Sequence, residues 1–159
     1  MTYNIYQNLF PDLNYQILYI THSNLPCYCV HMYQKKRTLN IGYMGGENPG
    51  KGLSILLKAV KLLDEQTQVK WKLHLYVADY HSKIFSTNII THGYFTIDDY
   101  QSILDELDVI IVPSLSPETF GYIVLESIAA GVPVIVSNKV GAKDLVEDSP
   151  ISLVYESID

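Results

Sequence analysis

Cysteine is nearly absent from this chain of 159 residues: Cys27 and Cys29 are the only two, which excludes a disulfide framework. Positive charge is also sparse. Lysine and arginine total 11 against 17 aspartates and glutamates, a net charge of −6, and no basic run offers a footprint for a nucleic-acid backbone or an anionic membrane. The longest apolar stretches are about seven residues, far below a membrane span, and Met1 to Phe10 contain neither a basic n-region nor an apolar h-region. A cytoplasmic location is the expectation. Charged residues make up only 18% of the chain, too few for a disordered tail, whereas the 48% apolar fraction suffices for one sizeable core.

From residue 39 onward, short β-rich apolar runs alternate with longer helical patterns, which predicts βαβ units and a mostly parallel, doubly wound Rossmann-like α/β sheet. The expected strands are Leu39 to Met44, Trp71 to Ala78, Asn88 to His92, Asp108 to Pro113, Val132 to Ser137 and Ile151 to Tyr155. Several are apolar throughout, as strands covered on both faces are. Leu53, Leu56, Leu57, Val60 and Leu63 form one stripe of a first helix. Thr96 and Asp99 have capping-box spacing, so a second helix should start near Ile97 and run through Tyr100 to Leu107. A third spans Phe120 to Ala130, closed by Gly131 and Pro133, and a short one fits Ala142 to Val146. Residues 1–37 read as the remnant of a preceding domain and a linker, with Gln16 to Thr21 as a possible strand, and residues 38–159 as the ligand-binding domain.

Two segments offer chemistry. Gly45, Gly46, Glu47, Asn48, Pro49, Gly50, Lys51 and Gly52 lie between the first strand and the first helix, where glycines admit a ligand to the backbone and helix amides attract phosphate. The pattern G-x-x-x-x-G-K-G falls one residue short of a P-loop, because Gly52 lacks the hydroxyl that binds magnesium, although Asp79 at the end of a strand could serve as a metal-holding acid. The alternative is a flexible turn with a solvated lysine. In the second segment, Glu118 follows a strand and Glu126 sits in an otherwise apolar helix, where a carboxylate buried without partners is costly. Phe120 to Glu126 covers roughly 9 Å of helix, so the two acids could grip opposite ends of an extended ligand around a helix N-terminus. Acid, amide cluster, acid matches the polarity of a nucleotide sugar. Cys27, Cys29, His31 and nearby His22 match none of the usual zinc spacings, and His92 suits a hydrogen-bonded strand terminus. The 13 tyrosines are dispersed, as packing residues are.

The stretch Ile110 to Val146, with P-S-L-S-P-E-T-F-G-Y-I-V-L-E-S-I-A-A-G-V-P-V-I-V-S, resembles the E-x7-E signature of retaining glycosyltransferases of the GT-B fold, family 4 (group 1). The glycine loop, His92-Gly93-Tyr94 and Asp108 to Ser114 follow in that group's order, and the resemblance covers about residues 38–155, the C-terminal, donor-binding half of such an enzyme. It implies that Glu118 meets the hydroxyls of the donor hexose, with Thr119, Phe120 and Gly121 beside the sugar and diphosphate, the last two through backbone amides. Glu126 would hold the ribose, Lys51 the diphosphate, and Gly45 and Gly46 would line the approach of the phosphates. Gly93, Tyr94 and Phe95 lie where that group's backbone meets the base. Glu118 and Lys51 are the implied catalytic pair. The donor would be a UDP- or GDP-sugar, with no metal or cofactor. An N-terminal acceptor domain would be missing, and any peripheral membrane association would come through it. Gly46 stands where the group commonly has an arginine. An epimerase of the same architecture, a P-loop-like nucleotide-binding domain and an inactive nucleotide-sugar-binding module are the competing readings.

Overall fold

A computed structural model of the chain describes residues 11–12, 38–78, 80 and 86–157. The expectations for residues 16–21, for Cys27, Cys29, His22 and His31, and for Asp79 fall outside these residues. The described residues form a six-stranded sheet, every pairing parallel: β1 (Thr38–Met44), β2 (Lys70–Tyr76), β3 (Ile89–Thr91), β4 (Val109–Val112), β5 (Val134–Ser137) and β6 (Leu153–Tyr155). Their spatial order is β3-β2-β1-β4-β5-β6. That is the doubly wound, Rossmann-like order, and the chain reverses direction across the sheet between β1 and β4, where a crevice opens at the carboxyl ends of the strands.

Alternation along each strand divides the core between two faces. Ile41 and Tyr43 of β1, with Leu73 and Leu75 of β2, pack on Leu53, Leu56 and Val60 of helix α1 (Leu53–Gln66). On the other face, Ile110 and Val112 of β4 and Val134 and Val136 of β5 pack on Ile103 and Leu104 of α2 (Tyr100–Glu106) and Val124 of α3 (Tyr122–Ala129). Gly42 lies on this second face, and a Cβ there would run into the side chains of Leu107 and Ile110, so its bareness lets α2 approach β1. Each fully buried leucine or isoleucine contributes about 1.5–3 kcal/mol. The apolar character of the strands follows directly from this double covering.

Several boundaries shift from their expected positions. The Thr96–Asp99 capping box is present: the Thr96 amide and hydroxyl each donate to Asp99 Oδ2 at 2.8 Å. It opens a 3-10 turn over Ile97–Asp99, and α2 proper begins at Tyr100. The third helix starts at Tyr122 instead of Phe120, because Gly121 is left-handed at φ 93° and the Phe120 carbonyl accepts from the Ala142 amide at 2.7 Å. The last helix is a 3-10 turn, Gly141–Leu145.

At the carboxyl ends of β2 and β3 two histidines meet. His74 Nδ1 and His92 Nε2 are 2.9 Å apart, and His74 Nε2 is 3.3 Å from Asn40 Oδ1. The His92 ring also stacks on Tyr76 at a centroid distance of 4.4 Å. Burial, then each other's charge, holds His74 below the ordinary histidine range, offset by Glu106 and Asp108 and reinforced by Lys72. Burial likewise lowers His92, against an opposing pull from Glu106. In the unfolded chain both would take up protons at higher pH than they do here, so their contribution is present above about pH 6.5 and is lost as pH falls below it.

Two outcomes are expected. Between about pH 7.5 and pH 5 the urea midpoint of unfolding should fall, and by less in His92→Gln; a wild-type midpoint that stays level across that range refutes the sign. Gly52, at φ 74°, lies so close to the Pro113 carbonyl that a Cβ would overlap it. Gly52→Ala should therefore destabilise the chain by about 2–4 kcal/mol, seen as a lower midpoint at constant slope.

Candidate functional site

The site is assembled where the chain leaves β1 and β4. After β1, Asn48 turns the backbone by accepting the Gly50 amide on its side chain at 2.9 Å, Pro49–Lys51 form a 3-10 turn, and left-handed Gly52 passes the chain into α1. After β4, the Leu115 and Ser116 amides donate to the Gly50 carbonyl at 2.8 and 3.2 Å. This docks the second loop directly on the first. A side chain at Gly50 would strike Ser116, and one at Gly52 would strike Pro113, so these two glycines are what allow the backbones to meet.

The consequence is an ion pair. Lys51 Nζ lies 2.8 Å from Glu118 Oε2, with the lysine side chain 44% exposed and the glutamate 17% exposed. The other carboxylate oxygen of Glu118 accepts the hydroxyl of buried Ser114. The main chain of Glu118 is clamped as well: its amide donates to Lys139 at 2.9 Å and its carbonyl accepts from Gly141 at 3.1 Å, a parallel bridge to Val140. Ser137 at the end of β5 completes the support, donating to the Ser114 carbonyl at 2.6 Å while accepting from the Lys139 amide at 3.0 Å. A cavity of about 30 Å³ beside the pair is lined by Tyr43, Gly45, Lys51, Ser114, Glu118 and Ile123, among others.

Tyr43 was not among the expected site residues. Its hydroxyl donates to the Gly46 carbonyl at 2.9 Å, and a Cβ at Gly45 would lie 2.8 Å from that hydroxyl, so Gly45 leaves room for it. Burial, with the negative charge of Glu118 second, pushes the Tyr43 phenol well above its ordinary range, which keeps it a neutral donor. Gly46 faces open space apart from the Asn48 amide nitrogen at 3.9 Å, so packing does not demand its bareness.

Glu126 sits elsewhere, on α3. It is 6% exposed, in the middle of α3; burial first, and then the charge of Glu126 and a side-chain hydrogen bond with it, raise the phenol of Tyr100 at the start of α2 above its ordinary range. A phenol from a neighbouring element thus lowers the expected cost of a carboxylate in an apolar helix. Thr119 and Phe120 continue the Glu118 loop, the Thr119 carbonyl closing against Gly141 and the Phe120 ring buried and edge-on to Tyr122. Gly93, at φ 72°, Tyr94 and Phe95 follow β3: Tyr94 is 81% exposed, whereas Phe95 packs between Tyr76 and Tyr100 at centroid distances of 5.9 and 5.5 Å. The structure thus gathers Gly45, Gly46, Lys51 and Glu118 at the β1/β4 crevice, whereas Glu126 and Phe95 are each linked to Tyr100. Ser114, Tyr43 and Tyr100 were legible only as parts of strand ends and caps.

The family model described as glycosyl transferases group 1 matches residues 36–157. A 41.2 kDa protein in the cps region of Klebsiella pneumoniae is 28% identical over 114 residues, covering 72% of this chain and 32% of that protein. Anabaena HepE, solved with UDP and glucose, superposes with a TM-score of 0.61 at 20% identity over 76% of this chain and 35% of its own. The isolated C-terminal domain of LpcC, a group 1 family protein of Francisella tularensis, gives a TM-score of 0.61 at 20% identity over 74% and 67%. The chain therefore spans about a third of the length of the curated relative it matches. With a doubly wound sheet, and with Lys51, Glu118 and Glu126 all lying inside the matched residues, this chain belongs to the group 1 glycosyl transferase family.

Proposed function

We propose that this chain is the donor-binding half of a retaining glycosyltransferase that takes a hexosyl group from a nucleoside diphosphate sugar, UDP- or GDP-linked, in the cytoplasm. The acceptor site belongs on an N-terminal domain of which residues 1–37 are the end, and any peripheral membrane contact would come through that domain. The observation that carries the reading is the Lys51–Glu118 pair at the sheet's switch point. The two groups have opposite charge and stand on loops from the two central strands, which is the polarity needed to hold a leaving diphosphate on one side and sugar hydroxyls on the other. HepE was solved with UDP and glucose and with UDP-glucose, which supports a donor of this kind.

In this mechanism the diphosphate takes over the Lys51 ammonium. A half-exposed ion pair is worth about 0–1 kcal/mol, so its loss is readily offset by the charge-assisted bonds that replace it. Glu118 stays in place, because Ser114 and the Lys139–Gly141 clamp hold it independently of Lys51, and it then accepts hydroxyls of the hexose. Charge developing on the departing diphosphate is met by Lys51 and by backbone amides around Phe120 and Gly121, the kind of preorganised electrostatics that often dominates catalysis. No metal or cofactor has a role in these steps. Glu126 binds the ribose, and the Gly93–Phe95 loop lies against the base.

The P-loop reading requires a hydroxyl-bearing residue at position 52. Left-handed Gly52 is pressed on the Pro113 carbonyl, so a side chain there would displace the loop after β4. The inactive binding module differs from the main reading only in turnover.

Calorimetric titration with UDP, GDP and ATP, each with magnesium and with chelator, tests this reading. Binding of UDP or GDP that ignores the metal is expected; ATP binding that appears only with magnesium would falsify it. Two substitutions then separate the acids. Glu126→Gln should weaken the nucleoside diphosphate by about 1–3 kcal/mol. Glu118→Gln should preserve or raise affinity for the bare diphosphate, because Lys51 is released, and weaken only the intact sugar donor. A Glu118→Gln variant that loses the diphosphate itself contradicts these roles.

A further inference from the structure

Tyr43, near the end of β1, has its ring in the core and its hydroxyl at the glycine loop. The residue is 2% exposed and belongs to the cluster of Ile41, Leu53 and Leu56. Its hydroxyl donates to the Gly46 carbonyl at 2.9 Å, and the Lys51 carbonyl, at 3.5 Å, is a long second acceptor. The first acceptor lies where the chain enters the loop, and the second lies on the residue that carries the cation. The turn bonds of the Gly50 amide to the Asn48 side chain, the Lys51 amide to the Asn48 carbonyl and the Gly52 amide to the Pro49 carbonyl are all local to Asn48–Gly52. None of these three reaches back to Gly46; the phenol does. Gly45 completes the fit, since a Cβ there would come within 2.8 Å of the hydroxyl. A phenylalanine would fill the same space in the core, so packing accounts for the ring and leaves the hydroxyl to be explained by the loop.

We infer that Tyr43 is a positioning residue for the diphosphate: its hydroxyl ties the entry of the glycine loop to the core, so that the main chain of Lys51 stays in place while its ammonium exchanges Glu118 for phosphate. The inference rests on the proposed donor reading and adds to it a residue outside both the glycine loop and the Glu118 segment. Glycine has the widest backbone freedom of any residue, and ordering Gly45 and Gly46 only when a ligand arrives would subtract from its affinity. A tether already present removes that cost. It also holds one polarity, because burial first, and the charge of Glu118 second, keep the proton on the phenol. Tyr43 lines the same cavity as Lys51, Ser114 and Glu118, so the tether and the ion pair share one crevice.

The test uses whichever of UDP and GDP binds the full chain, together with its parent nucleoside, titrated into wild type, Tyr43→Phe, Lys51→Ala and the double variant. Circular dichroism melts establish that each is folded. Tyr43→Phe should weaken the diphosphate about two- to tenfold, the range for one neutral hydrogen bond, and leave the nucleoside unchanged. In the Lys51→Ala background it should add nothing, since the cation it positions is gone. A ligand-free readout runs beside these: the wild-type Gly46 amide should have an order parameter of about 0.85, as rigid backbone does, and Tyr43→Phe should lower it. A wild-type value below about 0.6 overturns the inference whatever the variants do. So does an equal loss for nucleoside and diphosphate, or a loss that adds to that of Lys51→Ala. If Lys51→Ala itself leaves the diphosphate unaffected, or if neither nucleotide binds wild type, the donor reading fails and this role falls with it; a Lys51→Ala loss with a silent Tyr43→Phe removes Tyr43 alone.

Discussion

The docking of two loops across the switch point of the sheet is the contact on which the rest depends. The Gly50 carbonyl takes two amides from the loop after β4, and the bare backbone of Gly52 lies on Pro113. Without that docking, nothing would hold the loop of Lys51 against the loop of Glu118. Parallel strands bring the loops near each other, since both leave the sheet at its carboxyl edge. Glycine brings them into contact.

Around that contact the supports are layered by rigidity. β5 sends Ser137 under Ser114, Ser114 holds Glu118, and the main chain of Glu118 is bridged to Val140. The acid is therefore fixed by groups that do not involve the lysine. Lys51 hangs from a short 3-10 turn, half exposed, and is free to change partner. A rigid acid and a movable cation suit a site where the sugar must be held while a charged leaving group comes and goes. Glu126 follows the same pattern on another pair of elements, with a capped helix carrying the phenol that meets it.

Much of the fold was legible because its signals are local. The apolar runs of β1, β4 and β5 announce strands buried on both faces, and the Thr96–Asp99 spacing marks a helix start that the hydrogen bonds realise. The errors arise where tertiary contacts compete with helical propensity. Phe120 and Gly121 have an apolar helical pattern, yet the Ala142 amide captures the Phe120 carbonyl and delays α3 to Tyr122. In the site, Lys51 and Glu118 could be picked out, because a charge in a glycine loop and an acid after a strand stand out from their neighbours. Tyr43 and Tyr100 could not: Tyr43 lies in a strand and Tyr100 at a helix start, places where a tyrosine in the sequence is indistinguishable from one that only packs. The same holds for His74, whose partner His92 is brought beside it by the parallel register of β2 and β3.

The lysine–glutamate pair also bears on what the crevice refuses. With Lys51 paired to a neighbouring carboxylate, the crevice has little net attraction for small inorganic anions: a lone phosphate that captured Lys51 would be left facing the negative charge of Glu118. Only a molecule bearing hydroxyl donors beyond its anionic part can engage both sides at once. On the proposed donor reading, the mutual neutralisation of its own two charges would make the crevice a coincidence filter.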